Sequence, residues 1–308
     1  MKLLTKDKQR LMADQMCQKS RDIDLCMFNA LDDTMPKDYL LDCLMLYQAH
    51  DGGFKGGLHI DNYNTNTSVY QIYEAFRLLD MLDFDSNCEQ ELFVSIINKA
   101  CNYLYNRETP VDNKWNPNTL TNNNFAHAKI FEYNDENKKL FGFHPTAAII
   151  GYTLLFNKPT KAYYKKALRL LDAVMFELDN LELTKYEAIS FHSLLKSLKK
   201  LNILEEYQAK LENKLIDNAL KNVSLDFNNP DVLHPLEASL IIDNPKLNEM
   251  KEMELDFIID SLKPFGLWDH IGGWGYDKYP EEDSAMLKWI GAETVNNFYL
   301  LKKCGRLE

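Results

Sequence analysis

Apolar residues recur along most of the chain at positions i, i+3, i+4 and i+7, which is the period of an amphipathic α-helix. The alternation of apolar and polar residues that marks β-strands is nearly absent. The pattern therefore predicts an all-α fold. The predicted helices cover residues 7–30, 37–49, 65–82, 88–106, 123–133, 145–156, 161–178, 184–201, 205–222, 235–243, 245–262 and 284–303.

Start signals support several of these helices. Pro145, Pro235 and Pro245 suit the first position of a helix, where the missing amide hydrogen costs nothing. Thr184 and Glu187 have the spacing of a capping box, in which each side chain bonds the backbone amide of the other residue. We therefore expect helices to begin at these four places.

The predicted helices are of two kinds. Residues 205–212 are charged over half of the helix surface, whereas residues 145–156 are apolar nearly all round. The first kind suits an outer layer in contact with water, and the second suits an inner layer. Because the two kinds alternate, we expect one domain, residues 1–308, built as a two-layered helical barrel of roughly five or six hairpins. Irregular insertions are expected at about residues 107–139 and 265–283.

The chain is acidic, with 46 Asp and Glu residues against 35 Lys and Arg residues and a net charge of −11. This charge repels phosphate backbones and anionic lipids, so we expect neither nucleic acid nor a membrane as a partner. The chain contains no apolar run of about 18 residues and no signal-peptide pattern, so the expected location is the cytoplasm.

The six cysteines lie mostly within helical patterns. They show no Cys-x-x-Cys motif and no Cys/His pairing at the spacing of a zinc site. We therefore expect reduced thiols that pack between helices, which agrees with a cytoplasmic location, and no metal site. The sequence identifies no cofactor.

A Gly-rich segment between two predicted helices is the clearest motif of the chain. The segment Gln48-Ala49-His50-Asp51-Gly52-Gly53-Phe54 resembles the Gln-x-x-Asp-Gly-Gly-Phe/Trp repeat of the prenyltransferase and terpene-cyclase (squalene-cyclase-like) superfamily. The last stretch, residues 287–307, also looks like the closing hairpin of uncharacterised bacterial proteins of this shape. The resemblance implies an α/α toroid, in agreement with the alternation of outer and inner helices.

The chain departs from a catalytic motif of that superfamily. Triterpene cyclases protonate their substrate with an Asp-x-Asp-Asp motif, whereas the nearest string here, Asp83-Phe84-Asp85-Ser86, lacks the final acid. Hydrolases and lyases of glycans share the toroid, so sugar chemistry stays open.

Four residues are candidates for acid/base catalysis, because the loops that lead into the inner helices converge at the mouth of such a barrel. His144 and His234 each precede a proline at a helix start, and they could instead bind a metal together with Glu237. A structural alternative is that each imidazole bonds a neighbouring turn. Asp269 lies in an aromatic loop, and Glu293 interrupts the apolar pattern of the last helix. A carboxylate at such a place needs a partner or a raised pKa, which makes Glu293 a candidate acid.

The aromatic loop around residues 268–276 is the richest candidate for a binding wall. Its Gly residues allow tight turns that project aromatic side chains into a cavity, as sugar-binding sites require. A turn that plugs the barrel is the structural alternative. The candidate ligand-binding residues are Trp268, His270, Trp274, Tyr276, His59, Asp61, Phe54 and Glu237.

Two hypotheses of function follow. The first is an enzyme that binds a neutral glycan-like or isoprenoid-like ligand in a central aromatic cavity and uses carboxylates and histidines as acids and bases. A glycan hydrolase or lyase requires two carboxylates across the cavity, whereas terpenoid chemistry requires an almost wholly aromatic and aliphatic cavity. The second is a non-catalytic ligand- or protein-binding module, which is expected if the acids at the mouth are held in ion pairs and no perturbed carboxylate faces the cavity.

Overall fold

Helices dominate the computed structural model, which describes residues 1–275 and 278–308. Two short strands, β1 (Phe54–Lys55) and β2 (Thr67–Ser68), pair antiparallel. The predicted all-α fold is confirmed, and within the described ranges no helix is long and apolar enough to cross a membrane. The helices are α1 (Lys6–Lys19), α2 (Asp22–Leu31), α3 (Tyr39–Met45), α4 (Val69–Met81), α5 (Glu91–Asn106), α6 (Asp135–Phe141), α7 (Thr146–Phe156), α8 (Ala162–Glu177), α9 (Lys185–Leu201), α10 (Glu205–Asn222), α11 (Pro235–Ser239), α12 (Pro245–Ser261) and α13 (Glu281–Lys303).

The predicted helix 7–30 is in fact two helices, α1 and α2. They are separated by Ser20 and Arg21, whose backbones are extended. The Arg21 guanidinium donates to the carbonyls of Gly57 and Leu58, at 2.8 and 3.0 Å, and pairs with Asp24 at 2.7 Å. These bonds to a distant loop hold the chain in the extended conformation that separates α1 from α2. The periodicity of apolar residues in the local sequence does not predict such bonds.

The stretch at 107–139 contains no α-helix before Asp135, and the predicted helix at 123–133 is wrong. Two short 3₁₀ turns, Leu120–Asn124 and Lys129–Phe131, overlap residues 123–133, and α6 begins just beyond them. Asparagine side chains satisfy the backbone here, since Asn118 and Asn122 each donate to a distant carbonyl at 2.9 Å. The Asn-rich composition thus supplies the bonds that a helical ladder would otherwise make.

The predicted helix starts are confirmed with one shift. The Thr184 hydroxyl accepts the N–H of Glu187 at 3.2 Å, and the Glu187 carboxylate accepts the N–H of Thr184 at 3.1 Å. Pro235 and Pro245 are the first residues of α11 and α12. Pro145 instead caps α7, which begins one residue later.

The two kinds of helix differ in burial as the pattern predicts. Every residue of α7 is buried, and this helix packs against α4, α8 and α9. Gly151 permits the close approach to α9, because a Cβ at this position would lie 2.9 Å from Cα of Leu194. α10 buries one side, formed by Leu211, Leu215 and Ala219. The predicted burial of α7 all round and of α10 on one side is therefore confirmed.

The segment around Leu4 and the segment from Arg306 to Glu308 lie side by side. The N–H of Leu4 donates to the carbonyl of Arg306 at 2.8 Å, and the N–H of Glu308 donates to the carbonyl of Leu4 at 3.1 Å. The buried guanidinium of Arg306 bonds Asp256 at 2.7 Å and Glu252 at 2.5 Å, both on α12. One arginine thus joins both chain ends to α12.

Candidate functional site

A cavity of about 620 Å³ lies between α4, α9, α11, α12, α13 and the loop that follows α12. One face of α9 supplies a stripe of lining residues at helical spacing, which runs from Lys185 through His192 to Lys196. Lys196 Nζ donates to the Asp80 carboxylate of α4 at 2.7 Å. Burial lowers the pKa of His192 to about 4, so this imidazole is neutral at neutral pH.

Glu254 of α12 has the most perturbed carboxyl group of the cavity lining. The residue is only 6 % exposed, and burial raises its pKa to about 8, with a smaller contribution from the nearby charge of Glu237. One carboxyl oxygen accepts the N–H of Leu236 at 2.7 Å. The other lies 3.8 Å from Nδ1 of His234. At neutral pH, Glu254 is therefore a protonated acid facing a cavity.

His234 lines the cavity and also serves the helix start. Its Nε2 atom lies 3.0 Å from the carbonyl of Asn229, and its backbone N–H donates to the carboxylate of Glu237 at 3.1 Å. Glu237 in turn lies 3.4 Å from Nζ of Lys185. The ring contact with a neighbouring turn matches the structural alternative, and Nδ1 of the same ring faces Glu254.

Glu293 and His270 form a second pair at the cavity wall. Their closest side-chain atoms are 3.8 Å apart, and the amide of Asn297 lies 3.5 Å from the Glu293 carboxylate. The His270 ring stacks on Trp289, with ring centroids 4.4 Å apart and planes inclined by 10°. Stacking fixes the orientation of the imidazole that faces Glu293.

Asp269 and Trp268 also line the cavity, with different surroundings. Asp269 is about half exposed and pairs with Lys263 at 3.2 Å. Trp268 is nearly fully buried, and its indole N–H donates to the carbonyl of Ile258 at 2.7 Å. Trp268 therefore fixes the loop after α12 while one part of its ring borders the cavity.

The charges of the lining balance at neutral pH. The four basic residues are Arg77, Lys185, Lys196 and Lys263, and the five acidic ones are Asp80, Glu237, Glu254, Asp269 and Glu293. Glu254 is protonated at neutral pH, which leaves four negative charges against four positive ones. A lining with such balanced charges suits an uncharged polar ligand.

His144 does not share the cavity with His234. Its ring is enclosed by Tyr70, Tyr73, Phe141 and Tyr186, at centroid distances of 4.8 to 5.9 Å. Burial lowers its pKa to about 3. The metal site considered for the two histidines has no counterpart, since the described residues contain no group of three His, Cys, Asp or Glu placed to hold an ion.

Four other candidate binding residues, Phe54, His59, Asp61 and Trp274, lie outside the cavity. Trp274 and Trp289 both donate their indole N–H to one oxygen of Asp61, at 2.8 and 2.6 Å. His59 contacts the Trp289 ring, with centroids 5.5 Å apart, and Phe54 is fully buried. His59, Asp61 and Trp274 are thus joined to His270 through Trp289 and Asp61. The predicted residue Tyr276 lies outside the described residues.

Sequence reasoning missed Glu254, although a signal for it exists. Glu254 lies seven residues after Leu247 and four before Ile258, so it occupies the buried stripe of α12. The same kind of interruption drew attention to Glu293 on the last helix. The ion pair between Lys196 and Asp80, which joins α9 to α4, could not be predicted either, because the two residues are 116 positions apart in the chain.

No family model matches the chain, and comparisons with curated proteins and with solved structures also found no match.

Proposed function

We propose that this protein is an α/α-toroid enzyme that cleaves a neutral carbohydrate by acid/base catalysis in the central cavity, with Glu254 as the acid. The observation that carries the proposal is the raised pKa of Glu254, about 8, at a cavity wall. General acids work best when their pKa lies near the working pH, because they are then protonated and still able to give the proton away.

The base in this proposal is Glu293, on the neighbouring helix α13. Its carboxylate is oriented by His270 and Asn297. In a hydrolysis, Glu254 gives its proton to the leaving oxygen of the glycosidic bond, and Glu293 takes a proton from the attacking water. His270 is a positioning residue, since its stack on Trp289 fixes the ring beside Glu293.

The composition of the lining favours a sugar over an isoprenoid. Nine acidic or basic side chains border the cavity, whereas an isoprenoid site requires an almost wholly apolar wall. Aromatic rings for stacking against a sugar face are also present at Phe227 and Phe257, which are half-buried. An uncharged polar ligand matches both the balance of charges and the mixed wall.

A purely binding role is the second candidate, and a specific observation favours it. Glu237 and Asp269 are held in ion pairs with lysines, as expected for a binding module. Glu254 differs from these two residues. Its pKa is raised, and within the described residues it forms no ion pair with a lysine or an arginine. We therefore give the enzymatic proposal precedence.

The toroid in this proposal is supported by three features together. The inner helix α7 is buried all round and the outer helix α10 on one side. The two chain ends lie side by side. The Gly-rich segment from Gln48 to Phe54 resembles the repeat of toroid proteins.

Binding is tested first, by thermal shift of the purified protein with neutral oligosaccharides, oligogalacturonate and geranylgeranyl diphosphate. A ligand that binds only the folded state raises Tm. We expect a rise with at least one neutral oligosaccharide and none with the diphosphate. A rise with the diphosphate alone would contradict the choice of ligand class.

Catalysis is tested with the oligosaccharide that binds, by measuring newly formed reducing ends. We expect Glu254→Gln to keep the thermal shift and to lose turnover by about 100-fold or more. The matched control is Glu249→Gln, an exposed residue of the same helix, which should retain full turnover. Binding that persists without turnover in the native protein would support the binding module instead.

A further inference from the structure

Two cysteines on neighbouring helices lie in contact outside the cavity. Sγ of Cys26 on α2 is 3.0 Å from Sγ of Cys43 on α3, and the two helices pack against each other. All six cysteines of the chain are free thiols. The pair therefore places two reduced sulfur atoms about 1 Å further apart than a disulfide bond requires.

Both sulfur-bearing residues are half-buried rather than sealed in the core. Cys43 also lines a second cavity, of about 470 Å³, together with Arg21, Tyr47 and Lys55. Cys26 is not among the residues that line this cavity, so a small oxidant reaches Cys26 through the exposed part of its own surface. Cys101, in contrast, is fully buried and has no such access.

We propose that Cys26 and Cys43 are a reversible oxidation site that forms an intramolecular disulfide on reaction with hydrogen peroxide. The Cys26 thiolate attacks one peroxide oxygen, so that the O–O bond breaks and a sulfenic acid forms while hydroxide leaves and takes up a proton as water. Sγ of Cys43 then attacks the sulfenic sulfur, its proton leaves with the hydroxyl group as a second water, and the S–S bond forms. Two thiols are oxidised, and one peroxide is reduced to two waters.

The surroundings of the two thiols support this order of events. Burial, the contact with Cys26 and the nearby carboxylates of Asp22 and Asp42 raise the pKa of Cys43 to about 12. The proposal therefore assigns the first attack to Cys26 and the second to Cys43. In a reducing compartment, disulfides of this kind are transient and respond to oxidants.

Mass spectrometry of a tryptic digest tests the proposal directly. Cleavage after Arg21, Lys37 and Lys55 places Cys26 in peptide 22–37 and Cys43 in peptide 38–55, and each remaining cysteine falls in a peptide of its own. The folded, reduced protein is treated with hydrogen peroxide, and free thiols are then blocked with iodoacetamide. We expect a linked pair of peptides 22–37 and 38–55, lighter by two hydrogen atoms than their sum, which dithiothreitol separates.

Three variants make the test specific. Cys26→Ser and Cys43→Ser should both abolish the linked peptides, whereas Cys88→Ser, a change at another half-buried cysteine, should preserve them. In the presence of dimedone, which traps sulfenic acids, Cys43→Ser should be labelled at Cys26. Thermal melting of each variant checks that it is folded.

Three results would overturn the inference. The first is unlinked Cys26 and Cys43, recovered alkylated or as sulfinic acids, after peroxide treatment of the folded protein. The second is a linkage of either residue to a different cysteine. The third is dimedone labelling of Cys43 in the Cys26→Ser variant with no labelling of Cys26 in the Cys43→Ser variant, which would reverse the order of the two steps.

Discussion

The carboxyl group of Glu254 lies 3.8 Å from Nδ1 of His234, at the wall of the cavity of about 620 Å³. The two residues come from different helices, α12 and the cap of α11. The second oxygen of Glu254 is bound to a backbone N–H, so the carboxyl group has a fixed orientation. A buried acid held in one orientation beside an imidazole is the feature on which the functional proposal rests.

Glu254 makes the stability of the fold depend on pH in a defined direction. Its pKa is raised from an ordinary value of 4.5 to about 8, so the folded state holds a proton that the unfolded state has released between these two values. This contribution is complete below pH 4.5 and is lost as the pH rises through 8, which amounts to roughly 5 kcal/mol. Glu254→Gln lacks this pH dependence of the free energy of unfolding. The free energy of unfolding of the variant minus that of the native protein should therefore increase as the pH rises from about 5 to about 9. Urea unfolding of both proteins across this pH range measures this difference. A difference that does not vary with pH would contradict the raised pKa of Glu254.

His144 makes stability depend on pH with the opposite sign. Its pKa is lowered from 6.5 to about 3, so the unfolded state takes up a proton first as the pH falls. The contribution of His144 is complete above pH 6.5 and is lost progressively towards pH 3. The variant His144→Phe keeps a ring in the aromatic enclosure. Its free energy of unfolding minus that of the native protein should be about 2–3 kcal/mol larger at about pH 4.5 than at pH 7. The control is the exposed His50, because His50→Phe should show no such change.

Gly151 sets the separation of α7 and α9. A Cβ at this position would lie 2.9 Å from both Cα of Leu194 and Oγ of Ser197, so one of the helices must shift. We expect Gly151→Ala to lower the free energy of unfolding by about 2 kcal/mol. The double variant Gly151→Ala, Ser197→Gly relieves one of the two contacts and should recover part of the loss. A single variant as stable as the native protein would show that the helices separate freely.

Arg306 holds both chain ends on α12. Its guanidinium is buried and bonds Asp256, Glu252 and the carbonyl of Lys2, the last at 2.7 Å. Arg306→Met keeps much of the volume but leaves these acceptors without a donor, and we expect a loss of about 2–3 kcal/mol. Amide hydrogen exchange should also accelerate in residues 2–8 and 250–258. The control is Arg169→Met, at an exposed position of α8. An equal loss of free energy of unfolding in the control would contradict the inference that the bonds of Arg306 stabilise the fold.

Local sequence predicts the helices well where their signals are local. The predicted helix 205–222 matches the bounds of α10, because its charged face and apolar stripe continue over its whole length. The capping box at Thr184 is also confirmed, since its bonds span three residues. The break between α1 and α2 escaped prediction, because Arg21 bonds carbonyls some 36 positions away in the chain.

The two His-Pro pairs show the limit of sequence reasoning for the site. His144-Pro145 and His234-Pro235 look equivalent in sequence, and each stands at a helix start. In the structure, His144 is enclosed by aromatic rings, whereas His234 lines the cavity beside a buried acid. What surrounds each imidazole comes from other helices, and no short-range motif encodes it.

By itself the sequence determined the fold class, most of the helices and their burial, because apolar periodicity and caps act over a few residues and depend on the chain's local geometry. Of the residues that it singled out, Asp269, Glu293, His234 and Trp268 border the cavity. Only the tertiary structure decided that Glu254 holds its proton near neutral pH and that Trp274 and Asp61 lie elsewhere. The reason is physical: a pKa and a cavity wall are set by the groups that packing brings near, and desolvation exists only once the helices have assembled.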